Sequence, residues 1–313
     1  MKLIKFFKEF SKKDIGVAGG KGASLGEMTR AKIPVPQGFV ILASAFDQFL
    51  GETDLNVEIE SRLRKINLKD INSIDRISNE IKNLIGDAEF PKIIAKEIFK
   101  EFLRLKTKYV AVRSSATAED SLIASWAGEL ESYLNTTRNN LLENVKKCWA
   151  SLFTPRAIFY RHEKKMHKAK VSVAIVVQEM VQSEISGICF TVHPVTEDKN
   201  QIVIEAGYGL GEAIVGGKIT PDTYIISKKD SKILDKNISR QRIKITKKGS
   251  GGTKETMVAR AKQEKQKLKD NEILKLAQIC RKIEKYYKKP QDIEWALKGG
   301  KIYILQSRPI TTL

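Results

Sequence analysis

The apolar residues of this chain follow two different spacings, which predict strands and helices in one protein. Short, nearly continuous apolar runs at residues 39–42, 109–112, 171–177 and 201–204 are typical of buried strands. Between residues 55 and 106 the apolar positions instead recur among basic residues at a helical spacing. There is no internal repeat, and the mixture predicts a fold of the α/β or α+β class.

The C-terminal part of the chain predicts a helix followed by a hairpin. The helix is indicated by five residues at helical spacing: Ile273, Leu276, Cys280, Ile283 and Tyr287. Pro290 ends this helix, because proline cannot continue it. Two strands follow at residues 293–297 and 302–308, joined by a turn at Gly299 and Gly300.

Two polar segments predict turns. Residues 19–22, Gly-Gly-Lys-Gly, predict a loop before a short helix at residues 23–31. The first backbone N–H groups of that helix, with Lys21 beside them, could bind an anion, although a plain turn fits the same four residues. Asp222, which follows Thr220-Pro221, is expected to cap a turn.

Composition favours a globular protein of two lobes. The chain has 313 residues, of which 42% are hydrophobic, and we divide it into an N-terminal lobe, residues 1–195, and a C-terminal lobe, residues 196–313. No apolar run approaches the ~20 residues that cross a membrane. Residues 1–8 predict an edge strand rather than a signal peptide, because Lys5 and Lys8 interrupt the apolar stretch.

Charge and cysteine content restrict the partners and the location. Lys and Arg number 56 against 37 Asp and Glu, a formal net charge of +19. The lysines are spread along the chain without interleaved aromatic residues, which favours a solvated surface over a nucleic-acid site. Cys148, Cys189 and Cys280 lie far apart, which argues against a disulfide framework or a zinc site and predicts a cytoplasmic location.

A candidate polyphosphate site follows the strand at residues 109–112. Arg113 comes directly after it, and a small-residue loop containing Gly128 follows. The planar guanidinium and the backbone N–H groups of such a loop suit phosphate oxygens. A strand end with a solvated arginine is the alternative interpretation of this segment.

A candidate metal site lies on the C-terminal hairpin. Glu294 and Gln306 stand in apolar strands, where a carboxylate and an amide each need a partner. Their oxygens suit Mg²⁺, although Glu294 could instead pair with a lysine at the sheet edge. A regular two-residue turn would oppose Glu294 to Leu305, so the metal hypothesis requires a three-residue loop or a bulge. Arg308, two residues beyond Gln306, is expected on the same strand face.

Blocks of sequence along nearly the whole chain resemble the nucleotide-binding domain of the phosphoenolpyruvate synthase and pyruvate phosphate dikinase family, which rifampicin phosphotransferase shares. The matching blocks are residues 19–28, 33–39, 111–135, 178–181, 205–212, 292–295 and 305–309. Thr117-Ala118-Glu119-Asp120 is similar to the synthase branch. The resemblance implies an ATP-grasp fold, in which two lobes close on ATP. It also implies transfer of the β-phosphoryl of ATP to a histidine and release of the γ-phosphoryl to water.

The resemblance also implies a role for each matching residue. The phosphate-binding and catalytic residues would be Lys21, Arg113 and Arg308. Gly128 would belong to a loop that covers the phosphates, and Ser132 stands where the family usually has threonine. Gln178, Glu179 and Val181 would lie at the adenine, in a segment that serves the family as a hinge. Glu294 and Gln306 would hold Mg²⁺.

The chain departs from the family in two ways. Trp126 and Glu129 replace the usual phenylalanine and glutamine, and Glu129 adds negative charge near the expected phosphates. No histidine follows Thr-Ser, so the phosphohistidine and pyruvate-binding domains are absent from this chain and are expected as partners. Three interpretations remain open. The chain is the ATP-binding part of a phosphoenolpyruvate synthase, that of a rifampicin-type phosphotransferase, or a non-catalytic nucleotide-binding regulatory module.

Overall fold

The protein is described by a computed structural model that covers residues 2–117, 131–163 and 172–310. The chain divides into two compact units. Unit 1 consists of Met1–Glu27 and Gln37–Met180, and unit 2 consists of Met28–Pro36 and Val181–Leu313. Both units combine helices with a mainly antiparallel sheet, so the predicted mixed α and β class is confirmed.

Unit 1 is built on a five-stranded antiparallel sheet. Its strands are β1 (Ile4–Phe6), β2 (Gly38–Ile41), β3 (Val110–Ala116), β4 (Ser132–Thr136) and β5 (Val173–Glu179). Their spatial order is β1-β2-β5-β3-β4, so β1 is an edge strand as predicted. β5 lies at the centre and is buried along nearly its whole length, which explains its continuous apolar sequence.

Helices cover this sheet. They are α1 (Ile15–Arg30), α2 (Ala43–Glu52), α3 (Leu55–Leu63), α4 (Ile71–Asp87), α5 (Lys92–Arg104), α6 (Leu141–Ala150) and α7 (Pro155–Glu163). The amphipathic pattern accounts for α4, which buries Ile74, Ile77, Ile81 and Ile85 on one side. The helices α2 to α6 share one hydrophobic core with the sheet. The core includes Trp149, whose ring lies 4.9 Å from that of Phe49.

Unit 2 is built on a six-stranded antiparallel sheet. The sheet contains β6 (Ile185–Phe190), β7 (Gln201–Tyr208), β8 (Asp222–Ser227), β9 (Ile233–Asn237), β12 (Gln291–Lys298) and β13 (Lys301–Pro309), in the order β13-β12-β6-β7-β8-β9. A separate hairpin pairs β10 (Ile243–Lys247) with β11 (Thr253–Met257). Two helices complete the unit, α8 (Glu212–Val215) and α9 (Asp270–Tyr287). The predicted C-terminal helix and hairpin are therefore confirmed as α9, β12 and β13.

The division between the units differs from the boundary at residue 195 that the sequence indicated. The chain passes into unit 2 after Met180, and residues 28–36 belong to unit 2 as well. The reason is strand pairing: β6 lies before residue 195, yet it pairs with β12 and β7. The backbone N–H of Ile304 in β13 likewise donates to the carbonyl of Pro34, at 2.9 Å.

The prediction of a loop at residues 19–22 is wrong. α1 starts at Ile15 and runs through this segment, and only Gly19 leaves the helical conformation, with φ 67° and ψ 171°. A left-handed φ is accessible to glycine at little steric cost, so a glycine pair can interrupt a helix without ending it. The segment is therefore a break within one helix.

The prediction that Asp222 caps a turn is also wrong. Asp222 is fully buried and begins β8. Its carboxylate accepts from Lys267 Nζ at 2.7 Å, from the Tyr224 hydroxyl at 2.7 Å and from the Ser239 N–H at 3.0 Å. Asp222 thereby fixes two segments against β8: the one between β9 and β10, which contains Ser239, and the one between β11 and α9, which contains Lys267.

Candidate functional site

Three of the residues predicted to bind nucleotide share one face of the sheet in unit 1. Arg113 in β3 is directly opposite Val176 in β5 on one side and Ser132 in β4 on the other. Gln178 lies two residues beyond Val176, and alternate residues of a strand share a face. Arg113, Ser132 and Gln178 therefore lie on a common surface, although the sequence separates them widely.

The helix that carries Lys21 lies on the same face. A Cβ added at Gly22 would lie 3.1 Å from Cγ2 of Val40, and Val40 is directly opposite Val176 in the sheet. Glycine at position 22 thus permits α1 to approach β2 closely. Unit 1 therefore brings Arg113, Ser132, Gln178 and the helical turn that contains Lys21 to one side of its sheet.

Gln178 has a buried side-chain amide near the end of β5. The residue is only 2% exposed, and among the described residues no hydrogen-bond partner reaches its Nε2. A buried amide without a partner costs free energy, which a ligand with an acceptor atom could recover. The following residue, Glu179, donates its backbone N–H to Gln37 at 2.7 Å, so that donor belongs to the sheet.

Gly128, Ser132 and Val181 were also predicted to contact the nucleotide. Gly128, together with Trp126 and Glu129, lies outside the described residues. Ser132 is exposed at the start of β4. Val181 opens unit 2, where its carbonyl accepts from the Ser183 N–H at 2.9 Å.

The hairpin of unit 2 contains the bulge that the metal hypothesis required. Its turn is the regular two-residue one, because Lys298 is opposite Lys301. The register then shifts between Glu294 and Trp295, so that Trp295 faces Ile304 and Glu294 faces Gln306. Directly opposed residues share a face, and the prediction that Glu294 and Gln306 lie together is confirmed.

Gln306 presents a buried amide oxygen directly opposite Glu294. The residue is 8% exposed, and Oε1 has no hydrogen-bond partner among the described residues. A buried amide oxygen beside a carboxylate is suited to a cation with a preference for oxygen. No group of three or more His, Cys, Asp or Glu side chains in residues 2–117, 131–163 and 172–310 could hold a metal. An ion at this pair would therefore take further ligands from its substrate or from water.

Arg308 is paired with Asp292, a contact the sequence analysis missed. The two residues are directly opposite in the hairpin, with Arg308 Nη2 2.7 Å and Nε 2.8 Å from Asp292 Oδ2. Arg308 nevertheless keeps 52% of its side chain exposed. The sequence did contain a signal for this contact. Alternate residues of a strand share a face, and Asp292 precedes Glu294 by two residues.

Burial raises the pKa values of two carboxyl groups in this sheet. The pKa of Asp292 is raised by burial, and the neighbouring Glu294 adds to the effect, whereas Arg308 lowers it. The pKa of Glu205 is raised by burial and by the charge of Asp292. Glu205 is opposite Ile188, and Ile188 is opposite Glu294, so all three carboxylates belong to one face. Such a surface favours a bound cation.

A groove of about 990 Å³ elsewhere in unit 2 is not part of this site. Its lining is mostly basic, with Lys282, Lys285 and Lys289 at the C-terminal half of α9 and just beyond it. None of the residues that the sequence analysis assigned to nucleotide or metal binding lines it.

In the part of the chain that the structure describes, no helix is long and apolar enough to cross a membrane.

Comparison with known proteins yields a family and several relatives. Residues 15–313 match the model described as "Pyruvate phosphate dikinase, AMP/ATP-binding domain". The chain is 46% identical over its whole length to a probable phosphoenolpyruvate synthase of Methanocaldococcus jannaschii, of which it covers 27%. It is 47% identical, over 99% of its length, to one of Archaeoglobus fulgidus, of which it covers 42%.

A rifampicin phosphotransferase of Bacillus cereus is also similar, at 39% identity over 98% of this chain and 36% of that protein. The chain thus spans less than half the length of each of these relatives.

Proposed function

Because the chain belongs to the pyruvate phosphate dikinase AMP/ATP-binding domain family, we propose that it binds ATP with Mg²⁺ and transfers a phosphoryl group as the nucleotide-binding part of a cytoplasmic phosphoenolpyruvate synthase. The proposed fold is the ATP-grasp fold, with each unit acting as one lobe. Three free, buried cysteines are consistent with a reducing compartment.

The observation that carries this proposal is the Glu294–Gln306 pair. The bulge places Oε1 of Gln306, a buried atom with no hydrogen-bond partner among the described residues, directly opposite Glu294. An unsatisfied buried polar atom calls for an explanation, and its position opposite a carboxylate suggests a cation. A cation that accompanies the polyphosphate would give the Gln306 oxygen a partner, with the Glu294 carboxylate directly opposite it.

In this proposal the cationic residues bind the phosphates. Arg113 and Lys21 come from the shared face of unit 1, and Arg308 comes from the exposed end of its ion pair in unit 2. A guanidinium binds phosphate oxygens with paired donors, so Arg113 and Arg308 would fix the orientation of the chain of phosphates. The loop containing Gly128 would cover them, and Ser132 would add a hydroxyl.

The adenine would lie at the end of β5. The unsatisfied Nε2 of Gln178 is suited to an acceptor nitrogen of the base. As the family resemblance implies, the carbonyl of Glu179 and the backbone of Val181 would contact the edge of the adenine ring. The selectivity for adenine would therefore depend on main-chain groups and one amide.

Glu294 and Gln306 would hold the Mg²⁺ ion, whose other ligands would be phosphate oxygens and water. When bound, the ion would neutralise charge that develops on the phosphates during transfer. Burial is the main cause of the raised pKa values of Asp292 and Glu205, and in each case a neighbouring carboxylate adds like-charge repulsion. Cation binding would relieve that repulsion.

The whole reaction would convert ATP, pyruvate and water to phosphoenolpyruvate, AMP and phosphate. It needs a phosphoryl acceptor, and none of His162, His167 and His193 follows Thr-Ser. The acceptor histidine and the pyruvate-binding barrel would therefore be separate domains or polypeptides.

A rifampicin-type phosphotransferase is the second candidate, favoured by the 39% identical relative named for that activity. The same nucleotide site would serve it, and only the acceptor would differ. A regulatory module that binds ATP without turnover is the third, and it predicts binding with no AMP formed under any combination of partners.

The test of the proposal is ATP binding to the purified 313-residue chain. Titration calorimetry with ATP and Mg²⁺ should show saturable binding, and a hundredfold excess over the dissociation constant should stabilise the protein by about 2.7 kcal/mol. Arg113→Ala and Lys21→Ala should remove most of this effect. Arg64→Ala is the matched control, since Arg64 is 81% exposed in an ion pair with Glu60. Absence of binding by the unsubstituted chain would refute the proposal.

A further inference from the structure

The break in α1 is bridged by a side chain from the sheet. In an uninterrupted helix the N–H of Gly22 would donate to the carbonyl of Ala18, four residues earlier. Here the N–H of Gly22 donates to Oγ of Ser115 at 3.3 Å, and that hydroxyl donates to the carbonyl of Ala18 at 2.9 Å. The Ser115 hydroxyl is thus inserted into one helical hydrogen bond.

Gly19 lies against Ser115 too closely for any side chain at position 19. A Cβ added at Gly19 would lie 2.2 Å from Ser115 Oγ and 2.3 Å from its carbonyl oxygen. Ala18 and Ser115 are both fully buried, so water does not compete for these hydrogen bonds. The break in the helix and β3 are therefore fitted to each other.

The inserted hydroxyl performs the function of a helix N-cap from a distant part of the chain. An N-cap hydroxyl normally accepts from the second or third N–H of the helix that it begins. Gly19 occupies the start of the second half of α1 and has no side chain, and Ser115 supplies the hydroxyl for the third N–H after it. Lys21 lies within this capped turn.

The same serine lies in the strand that carries Arg113, the second cation of the proposed phosphate site. Ser115 follows Arg113 by two residues in β3, so the two residues lie on the same face. One hydroxyl thus joins the strand that carries Arg113 to the helical turn that carries Lys21. A displacement of either element would change the separation of the two cations.

We propose that Ser115 is a positioning residue whose hydroxyl, inserted between Ala18 and Gly22, holds Lys21 in register with Arg113 for the phosphates of ATP. The inference rests on the proposed nucleotide site. Without the hydroxyl, Gly22 and Ala18 regain their direct helical hydrogen bond when Gly19 becomes helical, and the break that sets the direction of this turn closes. Lys21 is then misplaced although no phosphate-binding group has been removed.

Three variants of the 313-residue chain test this inference. Ser115→Ala removes the hydroxyl, and Ser115→Thr restores it with one additional methyl group. Ser114→Ala is the matched control: Ser114 is the neighbouring buried residue, and its hydroxyl donates to the Glu131 carbonyl at 2.8 Å, away from α1. Urea unfolding shows whether each variant folds, and calorimetry measures its affinity for ATP with Mg²⁺.

We expect Ser115→Ala to weaken ATP binding about tenfold, and Ser115→Thr and Ser114→Ala to bind within about threefold of the unsubstituted chain. A double-mutant cycle separates positioning from a general loss of packing. In the Lys21→Ala background, Ser115→Ala should have no further effect on affinity. Additive effects of the two substitutions would overturn the inference.

The outcomes distinguish this inference from the proposed function. Failure of the unsubstituted chain to bind ATP would overturn both. Normal ATP binding by the unsubstituted chain and by Ser115→Ala would overturn only the positioning role. If Ser115→Ala does not fold, a folded Ser115→Thr provides the test. A loss of ATP affinity in Ser115→Thr as large as that in Lys21→Ala would count against the role of the hydroxyl itself.

Discussion

Glu294 and Gln306 are directly opposite each other in the β12–β13 hairpin only because Leu305 is an extra residue in β13. The turn at Gly299 and Gly300 alone would have placed Leu305 opposite Glu294 and turned Gln306 to the other face. A bulge costs regular pairing locally, and bulges are common beside functional sites because they redirect a side chain. The position of this bulge is the strongest structural support for a cation site in unit 2.

Replacement of the unsatisfied amide should separate ligand binding from stability. Gln306→Met keeps the length of the side chain and removes the oxygen. Removal of an unpaired buried polar group is neutral or favourable. The free energy of unfolding of the ligand-free protein should therefore be unchanged or about 1 kcal/mol higher. The additional stability conferred by ATP with Mg²⁺ should be largely lost. Urea unfolding with and without ligand measures both quantities.

Gln278→Met, at an exposed position of α9, is the control for that substitution. It should change neither quantity by more than about 0.5 kcal/mol. A Gln306→Met protein that retained full stabilisation by ATP with Mg²⁺ would exclude Gln306 as a ligand of the ion.

Glu205 should destabilise the ligand-free protein in a pH-dependent manner. Burial raises its pKa above the ordinary value of a glutamate, so the folded protein binds the proton more tightly than the unfolded chain does. Stability therefore falls as pH rises through the window from the unfolded to the folded pKa, and remains lower above it. Glu205→Gln should stabilise the protein at pH 7 and have a smaller effect at pH 4. Urea unfolding at the two pH values measures this difference.

Glu255→Gln, at an exposed position in β11, provides the comparison. Its effect on the free energy of unfolding should be small at both pH values. An equal effect of Glu205→Gln at pH 4 and pH 7 would contradict the argument from proton binding.

The buried Asp222–Lys267 ion pair should be important for the stability of unit 2. Both side chains are fully buried, and Lys267 Nζ lies 2.7 Å from Asp222 Oδ1. Lys267→Met leaves the carboxylate without its cation and should cost about 3–5 kcal/mol. The double variant Asp222→Asn, Lys267→Met should be more stable than Lys267→Met alone. Denaturant unfolding measures both, and a loss below about 1 kcal/mol in the single variant would show that the pair contributes little.

Turnover should depend on a separate acceptor. The chain alone should bind ATP and form almost no AMP, because in-line transfer requires an acceptor nitrogen within about 3–3.5 Å of the phosphorus. A polypeptide that carries a Thr-Ser-His acceptor should give AMP, phosphate and an acid-labile phosphohistidine. Chromatography of the nucleotides and isotope-labelled phosphate measures these products. Formation of ADP at a rate that such a polypeptide does not change would indicate an ordinary ATPase.

Sequence patterns were sufficient for features that depend on local spacing. The buried strand β5 and the amphipathic helix α9 both follow from the positions of their apolar residues. The sequence also indicated that Glu294 and Gln306 could share a face only with a bulge or an odd loop. It could not choose between them, because the choice depends on how β12 and β13 pair over their whole length.

Features that depend on distant contacts were missed for a physical reason. Asp222 follows Thr-Pro, which locally favours a turn, yet its carboxylate is committed to Lys267, 45 residues later. Gly19 lies in a segment that locally favours a loop, yet the hydroxyl that stabilises its conformation comes from Ser115, 97 residues after Ala18. In each case a tertiary hydrogen bond overrides the local preference.

The path of the chain between the two units determines how the protein can be dissected. Unit 2 contains residues 28–36 as well as everything from Val181 onward, so no single cut yields both units intact. A fragment that begins at Val181 lacks the Pro34 carbonyl, which receives the Ile304 N–H on the outer edge strand β13. That edge would then be open to pairing with another chain, and such fragments should aggregate. Cleavage after Met180 should instead leave two fragments that complement each other, with the first still providing the segment that completes the sheet of the second.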